Sequence, residues 1–374
     1  MEKSIDHVTT EKVSNHIPDD LEFFIVSKLP LKSLKRFSCV RKSWSHLFQN
    51  SNFMNMYRNY FISNNHSSYE EDGSCLLLQQ TLPYFPNHRM LYLLSGETFE
   101  NKVKLDWPPP FQDNGQSVFI LGPVMNGIVC LYQGCTPIIV LWNPTTDKLK
   151  VLPHSPIESP ILYELKYVYL HGFGHDHIKD DYKVIRYASY SVDAPNIEDY
   201  REVEIVNQTY CDVWEIYSLR SNSWRKIDLD MPQCYGTNVG AFVYMNGVCH
   251  WYCNDINEPL LVSFDLHEEV FCTTPMPSDM NDNFDCVCAE ILHGELGVKE
   301  SWTKLFIFGP LPSIEHPIGE GSNGDLFFRR KNDELVWFNL NTQIIEELGV
   351  KGELHCCQIV IYKESLLRLG GIND

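Results

Sequence analysis

Ile139-Val-Leu-Trp-Asn-Pro-Thr-Thr-Asp-Lys-Leu-Lys-Val-Leu152 is an apolar strand, a polar turn and a second strand in fourteen residues. The same form returns in Glu215-Ile-Tyr-Ser-Leu-Arg-Ser-Asn-Ser-Trp-Arg-Lys-Ile227. It returns again in Leu261-Val-Ser-Phe-Asp-Leu-His-Glu-Glu-Val-Phe271 and Leu335-Val-Trp-Phe-Asn-Leu-Asn-Thr-Gln-Ile-Ile345. Two copies follow an Asn-Gly pair set between apolar runs, Asn126-Gly127 and Asn246-Gly247. A two-residue hairpin turn needs positive φ, and Asn-Gly supplies it. Recurrence of one hairpin unit is the mark of a radial repeat, in which each group of strands forms one blade.

Working outward, the whole stretch after residue 74 is short apolar runs broken by turn residues. Strands are expected at Cys75–Leu78, Val118–Leu121, Ile128–Tyr132, Ile138–Trp142, Lys183–Tyr187 and Val213–Leu219. Others are expected at Ala241–Tyr244, Val248–Tyr252, Leu260–Asp265, Lys304–Phe308, Leu326–Phe328, Leu335–Asn339 and Ile359–Tyr362. A kelch-like blade takes about 50 residues, so a body over 74–370 allows about six. A pair of packed β-sheets is the alternative.

Residues 1–62 are of another kind. They hold nine Lys/Arg and six Asp/Glu, a net of +3 against the chain's −19, which leaves −22 for the remainder. The polar stretch Ile62–Gly73 separates the two parts. In the head, Pro18-Asp19-Asp20 is a helix start, because proline opens the first turn and acids suit a helix N-terminus. Leu21, Phe24, Ile25 and Leu29 recur at helical spacing until Pro30 ends the run. Leu34, Phe37, Val40, Trp44 and Leu47 line a second helix, and Phe53, Met56 and Tyr57 a third, short one. So small a unit buries little core alone. Its apolar surface belongs either to the body or to a partner.

Composition narrows the function. The chain is 44% hydrophobic and 13% aromatic, enough for a sizeable core. Net acidity argues against a nucleic-acid binder. No apolar run reaches the roughly 18 residues of a membrane span, and no secretory h-region opens the chain. The 13 cysteines are then expected to be free thiols in a reducing compartment, cytosolic or nuclear. The sequons at Asn65 and Asn207 carry no weight without secretion.

No nucleophile elbow, phosphate loop or nucleotide-anchoring lysine motif is present, so catalysis and bound cofactors are not expected. Cys249-x-x-x-Cys253 and Cys286-x-Cys288 lack zinc spacing. His171, His175 and His177 with Asp176, Asp180 and Asp181 form the densest ligand-type cluster. Gly172 and Gly174 within it predict a turn, so no metal is expected there. Tyr163, Tyr167, Tyr169, Tyr187, Tyr190, Tyr200 and Tyr210 read first as blade packing and second as a protein-binding surface. The segments Ala188–Glu204 and Met280–Asp285 read as acidic loops.

The head sequence Ile17-Pro-Asp-Asp-Leu-Glu-Phe-Phe-Ile-Val-Ser-Lys-Leu-Pro-Leu-Lys-Ser-Leu-Lys-Arg-Phe-Ser-Cys-Val-Arg-Lys-Ser-Trp44 resembles the plant F-box. Ile17 stands where leucine is usual, and Phe53-Met-Asn-Met-Tyr57 departs from the common tail. The body resembles the F-box-associated domain, through Leu141-Trp-Asn-Pro-Thr-Thr146, Gly172-Phe-Gly-His-Asp-His177, Asn246-Gly-Val-Cys-His-Trp251, Ser263-Phe-Asp-Leu266 and Ser301-Trp-Thr-Lys-Leu305. Within that family the chain is similar to the S-locus F-box-like branch. The resemblance implies an α+β multidomain chain. A helical F-box at 17–62 would precede an all-β kelch-like propeller at 74–370. It implies a non-catalytic substrate receptor of a Skp–cullin–F-box ubiquitin ligase. Pro18, Leu21, Ile25, Leu29, Pro30 and Leu34 would dock the Skp linker and, through it, the cullin. The body would capture a target protein, and its charge suggests a basic one. A ligase-independent module for a glycan or small ligand is the other reading.

Overall fold

The computed structural model describes residues 74–369 apart from 82–88, 97–98, 113–116, 134–137, 157–162, 193–209, 230, 232–241, 255–258, 276–288, 294–302, 309–313, 322–325, 340–343, 353–356 and 368. The chain divides into two compact units, Met1–Ser68 and Tyr69–Asp374. The helices expected in the head, and the six residues assigned to Skp docking, lie outside the described residues.

Every described element is a strand. Sheet 1 has the order β22 (Cys357–Tyr362), β1 (Cys75–Thr81), β2 (Arg89–Ser95), β3 (Asn101–Leu105). Sheet 2 runs β4 (Val118–Ile120), β5 (Val129–Gln133), β6 (Ile139–Asn143), β7 (Lys148–Val151). Sheet 3 runs β8 (Tyr163–Asp176), β9 (Asp181–Val192), β10 (Tyr210–Ser218), β11 (Ser223–Ile227). Sheet 4 runs β12 (Phe242–Met245), β13 (Val248–Asn254), β14 (Pro259–Asp265), β15 (Phe271–Pro275). A two-stranded ladder follows, β16 (Ala289–His293) with β17 (Thr303–Phe308). Sheet 5 then runs β18 (Ile314–Glu320), β19 (Leu326–Arg330), β20 (Glu334–Asn339), β21 (Ile344–Lys351).

Each four-stranded sheet is an antiparallel meander, and the last strand of the chain, β22, pairs with the first, β1. That closure and the packing identify a β-propeller rather than a sandwich. Apolar clusters lie between successive sheets. Leu77, Val129 and Leu131 join sheets 1 and 2. Cys130, Leu141 and Phe173 join sheets 2 and 3. Tyr187, Trp214, Trp251 and Phe264 join sheets 3 and 4. Leu76, Leu78 and Phe327 join sheets 1 and 5. In β1, alternate residues therefore face different neighbouring sheets, and both faces are buried. This is why the inner strands read as unbroken apolar runs instead of alternating ones. Among the described residues five sheets are complete, where about six blades are expected from length.

The turns obey one local rule. Asn126 and Gly127, and Asn246 and Gly247, all take positive φ, as a tight hairpin requires. Elsewhere a small polar residue at a strand end caps a turn whose fifth residue is left-handed. Asn143 Oδ1 accepts from the backbone of Thr145 and Thr146, and Asp147 has φ 54°. Asp176 caps Ile178 and Lys179 before Asp180 at φ 48°, and Asp265 caps His267 and Glu268 before Glu269 at φ 60°. Ser218 accepts from Ser221 before Asn222 at φ 50°. These side chains do the work of missing backbone partners.

Two expectations are corrected. Gly172 and Gly174 do not make a turn; both lie inside the fourteen-residue β8. They are bare because sheet 4 approaches closely. A Cβ on Gly172 would lie 2.8 Å from the Cys249 side chain, and one on Gly174 2.3 Å from the Tyr244 ring. The cysteines are not all free thiols: Cys75, Cys130, Cys211, Cys249, Cys272 and Cys357 are free, but Cys253 is disulfide-bonded.

Candidate interaction surface

Sheets 3 and 4 meet through a charged seam at the end where their tight turns lie. Lys183 is 3% exposed and sits between two carboxylates, Asp176 Oδ2 at 2.9 Å and Glu269 Oε1 at 3.0 Å. Its ammonium also donates to the Leu266 carbonyl. Glu269 in turn pairs with Arg225 of β11. Burial alone would raise the Asp176 carboxyl. Backbone N–H bonds from Lys179 and Ile178, with the Lys183 ammonium, hold it down at about 2. Asp176 therefore stays ionised, and the buried lysine faces two carboxylates.

The same seam binds three turns together. Lys179 Nζ donates to the His267 carbonyl at 2.8 Å. Tyr244 Oη donates to the His175 carbonyl at 2.5 Å and lies 3.3 Å from His177 Nε2. His175 bridges His177 Nδ1 at 3.0 Å and Asp180 at 2.9 Å. On these turns stand three apolar side chains turned to solvent: Ile178 at 74% exposed, Met245 at 57% and Val270 at 54%. These exposed apolar groups stand on turns that cross-sheet bonds hold in place, which lowers the ordering cost of any contact they make.

Other polar groups are structural. Arg186 and Glu215, both buried, pair at 2.8 Å, and Tyr190 donates to the same carboxylate at 3.2 Å. Ser155 donates to its other oxygen, and Arg186 stacks over Trp224 at 4.1 Å. This cluster fastens the segment entering sheet 3. An open groove of about 360 Å³ between β3 and β21 is lined by Glu100, Lys102, Glu347 and Lys351 among others. Its charges are mixed in sign.

The fold keeps His175, His177 and Asp180 together and sets His171 apart from them. His171 is fully buried between Trp214 and Trp251, with ring centroids at 4.7 and 5.2 Å. Burial pushes it down to about 3, so it is neutral at pH 7. Among the described residues no group of three or more His, Cys, Asp or Glu is placed to hold a metal. Of the tyrosines, Tyr187 and Tyr190 are core, while Tyr167 is 56% exposed. The supposed loop at 188–204 begins inside β9, where Ala188 and Tyr190 are fully buried. The remainder of it, and Met280–Asp285, lie outside the described residues.

Sequence reasoning missed Ile178, Met245 and Val270. The available signal was an apolar residue standing within a polar turn, as in His177-Ile-Lys179 and Tyr244-Met-Asn246.

Comparison with known proteins adds the family. Residues 84–300 match the model of the F-box associated beta propeller domain. The chain is 24% identical to the F-box protein CPR1 of Arabidopsis thaliana, over 90% of this chain and 84% of that protein. It is 27% identical to the F-box only protein 8 of the same plant, over 72% and 83%. Among solved structures, TolB from Acinetobacter baumannii overlays with a TM-score of 0.45 at 10% identity, covering 78% of this chain and 67% of that one.

Proposed function

This chain belongs to the F-box-associated β-propeller family of plant F-box proteins, and from that premise we propose that it is the substrate receptor of a Skp–cullin–F-box ubiquitin ligase. The observation that carries the proposal is the pairing of an F-box-like head with a propeller whose turns are locked by buried charges. Pro18, Leu21, Ile25, Leu29, Pro30 and Leu34 dock the Skp linker, each large side chain worth about 1.5–3 kcal/mol of apolar burial. The propeller holds a target protein against the Ile178, Met245 and Val270 surface. The chain performs no bond chemistry. It raises the local concentration of target lysines near the conjugating enzyme, in the cytosol or nucleus.

The −22 body favours a basic target. Affinity for such a target falls as salt rises through the physiological range, and a flat salt response contradicts the charge part of the proposal. The receptor role itself is tested by pull-down on purified Skp linker. Wild type is retained. Leu21→Ala/Leu29→Ala/Leu34→Ala is lost while its circular dichroism keeps the β signature. No retention of wild type sinks the proposal.

A further inference from the structure

After β22 the chain does not stop at the sheet edge. Residues 363–367 and Leu369 cross the turns of sheet 2 as an irregular strap that pairs with no strand. Asn143, fully buried at the end of β6, holds it. The Asn143 amide donates to two alternate carbonyls of the strap, Ser365 at 3.0 Å and Leu367 at 2.9 Å. Its carbonyl is fixed by the Thr145 and Thr146 amides, so the clamp is set before the strap arrives. Thr145 also donates its backbone N–H to Tyr362 Oη at 3.1 Å, at the root of the strap.

Two further features suit a bound peptide more than a strand. Gly127 leaves room for it: a Cβ there would lie 2.4 Å from Ser365 Cβ and 3.2 Å from the Lys363 carbonyl. Leu367 and Leu369 enter the apolar cluster between sheets 2 and 3, which includes Leu121, Ile128, Leu141, Phe173 and Tyr182. Leu369 is 9% exposed. Carbonyls gripped at alternate residues, with Leu369 buried and Leu367 packed against the same cluster, are how an extended peptide is held in a cleft.

We propose that this cleft is a peptide-binding site for an extended Leu-x-Leu segment of the target, and that the chain's own C-terminal strap fills it in cis. The proposal rests on the receptor role of the body and names the chemistry of its partner. An occupied cleft lowers apparent affinity by the fraction of time it is free, so strap release is a gate on capture.

The test uses the full chain with Leu367→Ala/Leu369→Ala, which weakens the strap and leaves the cleft untouched. The probe is a fluorescent peptide of residues 363–374, read by anisotropy. The variant should bind it at least about tenfold tighter than wild type. An unlabelled peptide with both leucines replaced by alanine should not compete. A variant with native circular dichroism and melting that binds the peptide no better than wild type overturns the proposal. Should the variant fail to fold, a protease site inserted after Tyr362 allows the strap to be cut after folding. Reversible departure on dilution, with the β signal kept, supports an exchangeable ligand. Unfolding of the body on departure shows a structural staple and overturns it. No Skp linker is present in either assay, so failure here leaves the receptor test standing.

Discussion

At one end of sheets 2, 3 and 4, strands are joined by turns such as Asn246-Gly247, 144–147, 177–180 and 219–222. The other ends of these strands are separated by longer stretches of sequence, 152–162, 193–209 and 228–241. The short turns are bonded across sheets, as Asn126 to Tyr182 at 2.8 Å and Lys179 to His267 show. The buried pair Asp176–Lys183 lies there too, while a second buried pair, Arg186–Glu215, is bonded to Ser155 of the stretch that leads into β8. The difference teaches where a propeller can hold a surface still. Turns coded by Asn, Asp and Gly fix the backbone locally, and ion pairs between sheets fix the turns relative to one another. The long connections have no such code in their sequence, only composition.

The comparison breaks most severely at Lys183. Lys183→Met leaves the buried Asp176 without its ammonium, while Glu269 keeps Arg225, and should cost about 3–5 kcal/mol in urea unfolding. A loss below about 1 kcal/mol would mean that the seam does not hold the turn end together. Gly174→Val comes next, at roughly 3 kcal/mol, because the new side chain must displace the Tyr244 ring and Leu266.

His171 sharpens the comparison through pH. Its folded value lies at about 3 against 6.5 unfolded, so between those values the unfolded chain binds a proton that the folded chain does not. Stability attributable to this residue is therefore complete above about pH 6.5 and falls as the pH drops. The loss is about 2 kcal/mol at pH 5. His171→Phe should flatten that part of the wild-type profile, and an unchanged profile would place the titration elsewhere. The smallest effect is expected on β8 at the opposite end. Tyr167→Ala removes an exposed ring and should move stability by no more than about 0.5 kcal/mol.

Much of the fold was legible because the physics is local. Asn-Gly pairs named their hairpins, and apolar runs such as Ile139–Trp142 named strands buried on both faces. Strands β2, β3, β8, β16 and β18 were not anticipated. Arg89–Ser95 and Asn101–Leu105 are bounded by the turn residues Pro86-Asn87, Ser95-Gly96 and Pro108–Pro110, a signal that sequence reasoning passed over, and the glycines of β8 look like turn residues until sheet 4 is packed against them. The candidate surface was less legible for the same reason. Ile178, Met245 and Val270 are far apart in sequence, and cross-sheet bonds of Lys179, Lys183, Tyr244 and His267 gather their turns. The strap was invisible in sequence, because Asn143 and Leu367 are tied only by the closure of β22 onto β1.

The central claim is a division of labour, in which the head binds the ligase and the turn end of the propeller binds the target. One titration tests it, with purified Skp linker against three full-length proteins: wild type, Leu21→Ala/Leu29→Ala/Leu34→Ala, and Ile178→Asp/Met245→Asp/Val270→Asp. Wild type and the turn-end variant should bind the linker within about twofold of each other, while the head variant loses at least about a hundredfold. Loss of linker binding in the turn-end variant, or retention in the head variant, would contradict the account.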